Sequence, residues 1–267
     1  MRNAIAMDDQ GQSVVGTSLR LASQISAAQL RTLSDLLADI LEVSTPLPPP
    51  TSAAALLLGD PNVSAALIDI EAPMGTAAVH EAQRFSGCDL SQLTEDVPLA
   101  LDAEISNVSA RYRFAVTDSD AQIETRVRFQ SPEQVRALRA PKFKARMLAE
   151  EGLPITGSIS MDHVRRYRAL SNDMNPIHAD NRVAIAAGFE RAVVPGMLLC
   201  GLAETACFLV HGAHNITDIR ARFVSAAFVE EDVTVMVGAF VGKTRVFVLS
   251  ATNDIRAIVD ISSGRPR

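Results

Sequence analysis

An α+β fold built from two copies of one unit is predicted by three observations. Two series of strand-like segments, residues 77–130 and 218–261, each read as an antiparallel meander, because apolar and polar residues alternate between turn-like breaks. Residues 196–210 read as a helix that is apolar nearly all round, and such a helix must be buried. The chain also repeats. A shift of 134 pairs Ile25 with Ile159, Ser26 with Ser160, Arg31 with Arg165, Leu36 with Leu170 and Asp39 with Asp173, while a shift of 136 pairs Glu95-Asp96-Val97 with Glu231-Asp232-Val233 and Ala103 with Ala239. Two antiparallel sheets, each wrapped around a central helix and packed as a pseudo-dimer, are therefore expected. The units are placed at 1–131 and 154–267, with a linker helix at 132–153.

Taken in order, residues 1–16 lack periodicity and are expected as a loose tail. Residues 18–22 can form a short strand. Residues 26–41 read as an amphipathic helix capped by Ser26, with Leu30, Leu33, Leu36, Leu37, Ile40 and Leu41 on one side. Pro46, Pro48, Pro49 and Pro50 then break the chain, and the apolar run 53–58, closed by Gly59-Asp60-Pro61, is a short helix at most. Strands follow at 77–86, 97–108, 110–116 and 122–129. Ser131-Pro132-Glu133-Gln134 is a helix start with a serine cap, a proline in the first turn and a glutamine able to reach back, so a connecting helix is expected from 132 to about 149. Lys142, Lys144 and Arg146 mark it as an exposed linker. The second unit has a strand at 155–159, an amphipathic helix at 160–170, the buried helix, and strands at 218–227, 233–241, 244–251 and 255–261.

Composition narrows the function. The 267 residues fit one large domain or two smaller ones. Apolar residues make up 48% but aromatics only 4%, with no Trp, so the core must be built from Ala, Val, Leu and Ile. A net charge of -6 argues against a general nucleic-acid binder, which needs a concentrated basic face. Cys88, Cys200 and Cys207 form neither a zinc-ligand set nor a disulfide framework and read as buried small hydrophobes; no metal is expected. Residues 1–10 hold no apolar run of signal-peptide length, and Glu204 and His211 interrupt the apolar stretch from 192 before it could span a bilayer. A soluble, cytoplasmic protein without a membrane or nucleic-acid partner is expected.

The candidate site is Leu170-Ser171-Asn172-Asp173-Met174-Asn175-Pro176-Ile177-His178. It sets a carboxylate and an imidazole five positions apart. On a continuing helix they would diverge, but Pro176 disfavours helical geometry at Asn175, so the chain turns and both can face one pocket. Such an acid/base pair can grip one water molecule. Taken singly, Asp173 could be a helix-end turn residue and His178 a satisfied, partly buried histidine; Asn175, Pro176 and the helix opening at Gly196 turn the balance toward a site. His80, His163, His211 and His214 lack such company. Arg84 and Arg222, which both precede Phe in matching strands, read as a structural pair.

Asp-x-Asn-Pro-Ile-His, followed by Ala187-Gly188-Phe189 and Val194-Pro195-Gly196-Met197-Leu198-Leu199, resembles the signature of the MaoC-like (R)-specific enoyl-CoA hydratases, in their double hot-dog form. The likeness covers 154–267 well and the first half only through strand pattern and repeat. Asn172 stands where the family usually has Gly, a mild change because Asn tolerates left-handed backbone. Pro195 stands where a His commonly precedes the Gly. The resemblance implies a lyase of fatty acid metabolism that reversibly hydrates a trans-2-enoyl thioester to a (3R)-hydroxyacyl thioester. Asp173 and His178 would hold the water, Asn175 would orient them or donate to the substrate, and the Gly196 amide would meet the oxyanion, since Pro195 has no amide hydrogen. Pro195, Met197 and Arg191 would bind substrate. Arg165, Arg166, Arg168 and Arg182 are further candidates to grip a phosphate. No cofactor is implied beyond the CoA or phosphopantetheine carried by the substrate, whose partner form is an acyl-CoA or an acyl-carrier-protein thioester. A homodimer of pseudo-dimeric chains is left open. The alternatives are a hot-dog acyl thioesterase and a non-catalytic acyl-thioester-binding protein.

The first copy has lost the chemistry: Asn175 meets Leu41, Pro176 meets Glu42 and His178 meets Ser44. Matching Pro50 with Pro195 needs a longer shift, so the first copy is shortened ahead of its central segment. One site per chain is expected, with the first copy holding the acyl tail near Ala54 and Leu57.

Overall fold

The computed structural model describes the chain except residues 1–5, 8–12, 21–24, 45, 68–72, 94–97, 118, 213–214 and 265–267. The Glu95-Asp96-Val97 match and His214 fall outside the described residues. Eleven strands form one sheet in the order β1-β2-β4-β5-β6-β3-β8-β11-β10-β9-β7. In the first half these are β1 (Ala6–Met7), β2 (Ser13–Arg20), β3 (Ala77–Ser86), β4 (Pro98–Ile105), β5 (Ser109–Val116) and β6 (Gln122–Gln130). The second half supplies β7 (Leu153–Ile159), β8 (Ile216–Phe223), β9 (Glu231–Phe240), β10 (Lys243–Ser250) and β11 (Ile255–Ser263). The order β2-β4-β5-β6-β3 is repeated as β7-β9-β10-β11-β8, so the repeat read from residue spacing is a repeat of topology. Only three strands of each half run as a meander, because β3 and β8 return to the far side of β6 and β11. The expected loose tail is corrected in part, since residues 13–16 belong to β2, paired along its length with β4.

The two halves join through β3 and β8, antiparallel, with Arg84 opposite Arg220. Like charges placed directly opposite repel. Asp218 offsets this by binding both, at 2.6 Å to Arg84 Nε and 2.8 Å to Arg220 Nε. The expected pairing of Arg84 with Arg222 is thus replaced by Arg84 with Arg220, because the register sets Arg222 against Ala82.

The inner face of the sheet carries the core. β4 alternates strictly, turning Leu99, Leu101 and Ala103 inward, as a sheet wet on one side should. Helix α1 (Ala27–Ile40) opens on a capping box between Ser26 and Gln29 and buries Leu33, Leu36, Leu37 and Ile40. The central segment of the first half is a 3-10 helix, Thr51–Gly59, then a short helix α2 (Pro61–Leu67). The break falls at Asp60 as the sequence predicts, whereas α2 has no counterpart among the expected elements. After helices α4 (Met161–Ser171) and α5 (Asn181–Ala186), helix α6 (Gly196–His211) is the buried helix of the second half, with Leu198, Leu199, Leu202, Ala203 and Ala206 sealed against the sheet. Each buried leucine contributes about 1.5–3 kcal/mol.

The connecting helix is shorter than expected. Helix α3 (Pro132–Ala137) has the predicted serine cap and capping box but stops at Leu138, three residues before Pro141, and only a 3-10 turn at Ala145–Met147 follows. Phe143, Met147 and Leu148 draw this stretch onto the outer face of the second half, over Phe247, Leu249 and Ile255, while Lys142 pairs with Asp254 at 2.9 Å. Tertiary burial outweighs helix propensity there. All three cysteines are free and buried. No helix among the described residues is long and apolar enough to cross a membrane.

Candidate active site

Helix α4 (Met161–Ser171), opened by a capping box of Ser160 and His163, delivers the site turn. It ends at Asn172, whose φ of 51° and ψ of 33° are the left-handed geometry that asparagine tolerates. The Asn172 side chain donates to Gly59 O at 2.9 Å, tying the turn to the first half. Asp173 Oδ1 accepts from the Asn175 amide at 2.9 Å, and Arg168 Nε donates to the Asp173 carbonyl at 2.9 Å. Asn175, extended as a residue before proline should be, caps the 3-10 turn Pro176–His178 through its own Oδ1. This turn brings the imidazole back toward the carboxylate.

His178 Nε2 lies 3.5 Å from Asp173 Oδ2. On the other side of the ring Nδ1 donates to Val193 O at 2.7 Å, which leaves the Nε2 lone pair turned toward Asp173. Burial holds the imidazole below its ordinary value of 6.5, against the opposing pull of Asp173. A neutral imidazole is therefore the resting form near neutral pH. Val193 also donates to Ile177 O, and Val194 donates to Ala227 O, so the strand-like stretch before α6 is fixed on both edges.

That stretch ends at Pro195, and α6 begins at Gly196. The first amides of a helix have no partner within it and carry positive partial charge. Gly196 also has a steric reason: a Cβ there would stand 3.0 Å from the Phe223 ring. Asp173, Asn175, His178, Pro195, Gly196 and Met197 all line one cavity of about 730 Å³. Arg191 does not. It is exposed, with its guanidinium 5.4 Å from the Phe228 ring, and Arg165, Arg166, Arg168 and Arg182 are likewise absent from the lining.

The far wall comes from the first half. Ala55, Leu58, Gly59, Pro61 and Ala65 contribute from its central segment, so the cavity meets Ala55 and Leu58 rather than the expected Ala54 and Leu57, which turn into the core. His80, Gln83 and Thr125 add polar groups that the sequence reading missed. A β-bulge between His80 and Ala82 reverses the alternation of β3, which is why His80 and Gln83 share a face despite odd spacing. His80 packs at 4.5 Å on the Phe223 ring, and burial lowers its pKa to about 4. Among the described residues no cluster of His, Cys, Asp and Glu could hold a metal ion.

The chain thus carries an antiparallel sheet packed on a buried helix, with a carboxylate and an imidazole lining the cavity at that helix's first turn. Residues 139–257 match the family model described as the MaoC like domain. No curated protein sequence matches the chain. Among solved structures, HtdX of Mycobacterium tuberculosis superposes with a TM-score of 0.66 at 15% identity, over 93% of this chain and 100% of that one. A MaoC-like dehydratase from Phytophthora capsici gives 0.62 at 14%, over 94% and 96%. The peroxisomal multifunctional enzyme type 2 from Drosophila melanogaster gives 0.59 at 14%, over 93% of this chain and 48% of that one. At such identities the likeness is one of fold.

Proposed function

We propose that the protein hydrates trans-2-enoyl thioesters to (3R)-hydroxyacyl thioesters, or runs the reverse dehydration, with an acyl-CoA or acyl-carrier-protein thioester as substrate. The observation that carries this reading is the 3.5 Å gap between His178 Nε2 and Asp173 Oδ2, in a cavity that also holds the first turn of α6.

In this reading a water molecule is held by both groups. His178 Nε2, a free lone pair on a neutral ring, takes one proton as the water oxygen bonds to the third carbon; Asp173 holds the other hydrogen. Electron density moves to the thioester oxygen, which the Gly196 amide receives. An oxyanion donor of this kind is worth about 3 kcal/mol of transition-state stabilisation. The proton on His178 then passes to the second carbon, so the elements of water have been added and the imidazole is neutral again. Dehydration is the same path reversed. Asn175 acts as a positioning residue through the turn it caps.

Crotonyl-CoA tests the reading. Loss of the enoyl-thioester absorbance without thiol release, giving the (3R) alcohol, is expected; thiol release would instead mark a thioesterase, and neither change would mark a binding protein.

A further inference from the structure

Tyr167 is a buried titratable group that the proposed chemistry leaves idle. It sits one turn before the end of α4, is only 5% exposed, and packs among the core residues while sharing the cavity wall with Asp173, His178 and Leu199. The bond that Ser171 Oγ donates at 2.9 Å goes to the Tyr167 carbonyl, and the phenol oxygen has no hydrogen-bond partner among the described residues. Nor is that oxygen sealed. Among the described residues, the buried side-chain polar atoms that lack both a partner and accessible surface are Gln83 Nε2, Arg111 Nε and Arg256 Nε. The Tyr167 oxygen is not one of them, so it keeps accessible surface, and the space open to this residue is the cavity it lines. A phenylalanine would fill the same position with no hydroxyl to desolvate. A hydroxyl that the protein leaves unpaired but open to a cavity is placed to bond what the cavity holds.

We infer that the Tyr167 hydroxyl is the third holder of the reacting oxygen, donating a hydrogen bond to the water gripped by Asp173 and His178 and to the 3-hydroxyl which that water becomes. The inference rests on the hydratase reading and adds a residue to it. Bonding capacity selects this partner. The held water gives its hydrogens to Asp173 and His178 and uses one lone pair on the third carbon, so one lone pair remains for a donor. The carboxylate and the neutral imidazole can only accept there, and the Gly196 amide is engaged by the thioester oxygen. Tyr167 supplies the missing donor. Burial, and then the Asp173 carboxylate, push the phenol well above its ordinary value of 10, so it stays protonated. The carboxylate that holds the water thus also bears on the phenol. No proton leaves the hydroxyl. In hydration it steadies the oxygen as the bond to carbon forms, and in dehydration it stabilises the charge that builds on the departing oxygen.

Tyr167→Phe removes the hydroxyl and nothing else. In the full chain, kcat for hydration of crotonyl-CoA should fall by about 10- to 100-fold, with KM little changed because the enoyl thioester does not itself meet the hydroxyl. The equilibrium constant obliges kcat/KM for dehydration of (3R)-3-hydroxybutyryl-CoA to fall by the same factor, and there part of the loss should appear as a higher KM, since the substrate hydroxyl is the group held. The melting temperature should be unchanged or higher, because no bond within the protein is lost. A tyrosine that only packs would show no such split between the two directions. Undiminished turnover in Tyr167→Phe, a loss carried by the KM for crotonyl-CoA, or a lowered melting temperature overturns the inference. Hydration lost in Asp173→Asn but kept in Tyr167→Phe would leave the hydratase reading standing without it. If the natural chain does not hydrate crotonyl-CoA, the hydratase reading falls and takes this one with it.

Discussion

The carboxylate of Glu204, two turns into α6, accepts the amide hydrogens of Thr51 at 2.5 Å and Ser52 at 2.9 Å. Thr51 follows Pro50 as Gly196 follows Pro195, so Glu204 occupies in the first half the amides that match those assigned, in the proposed chemistry, to a thioester oxygen in the second. In that reading the first half has neither an open oxyanion site nor a dyad. Removing the carboxylate strands two amides, and Glu204→Ala should cost about 2–4 kcal/mol in denaturant unfolding. The effect should also depend on pH. Burial lifts the Glu204 pKa above 4.5, so its contribution to stability is fully present below the unfolded value and is lost as pH rises through the folded one. Glu204→Gln, which cannot ionise, should gain on the natural chain as pH rises across that interval. A constant difference across that interval would contradict the assignment.

Asp173→Asn and His178→Ala should each lower turnover by orders of magnitude, with melting temperature little changed. Because burial depresses the His178 pKa below 6.5, the acid limb of kcat/KM should lie below that value. A limb above it would mean that the pull of Asp173 outweighs burial and raises the imidazole pKa. Wild-type turnover in either variant would remove the pair from the chemistry.

Gly196 is a question of space. With the Phe223 ring 3.0 Å from where a methyl would stand, Gly196→Ala must displace the ring or the helix start, and turnover should fall by about 10-fold or more. Adding Phe223→Leu makes room and should restore part of the loss. If the double variant is no better, the glycine serves something other than close approach.

Asp39, the residue matched to Asp173, has taken up a structural task. It pairs with Arg166 and, at 3.3 Å, with His163, joining α1 to α4. Chiefly the Arg166 hydrogen bond holds its carboxyl below the usual 3.8, so this contribution is present above that value and is lost as pH falls through the folded one. The side chain is half exposed, and Asp39→Asn should cost less than about 1 kcal/mol with turnover unchanged. Titration with a tight-binding substrate analogue should give one site per chain; two equivalent sites, or activity lost in Asp39→Asn, would contradict the loss of chemistry in the first half.

What the sequence reveals follows physical range. The turn at Asn172 to His178 is legible because a helix end, a left-handed asparagine and a pre-proline residue are decided within a few positions. The strands and α6 are legible through their periods, and the repeat through identities at fixed spacing. Three features are not. The stretch after α3 is settled by Phe143 and Leu148 packing on a distant sheet face, the partner of Arg84 by a two-residue difference in register, and the first-half wall of the cavity by a bulge that reverses which residues of β3 face inward. Each depends on what lies across the fold, and none leaves a local pattern.

The central segment of the first half should set acyl chain length. Ala55 and Leu58 stand on the cavity side of the 3-10 helix, one 3-10 turn apart and so on one face, while Ala54 and Leu57 fill the core beneath. Gly59 packs so tightly on the site turn that a Cβ would stand 2.0 Å from Ser171 O, so the segment cannot retreat to make room. Bulk added at Ala55 or Leu58 must therefore project into the cavity. Ala55→Phe and Leu58→Phe should lower kcat/KM for long enoyl-CoA chains by about 10-fold or more relative to crotonyl-CoA, whose short chain need not reach this wall. Ala54→Phe is the contrast: it overpacks the core, should cost about 1–3 kcal/mol of stability, and should leave the chain-length ratio alone. The two outcomes separate a wall of the acyl site from a part of the core. If Ala54→Phe shifts the ratio and Ala55→Phe does not, the acyl chain runs elsewhere.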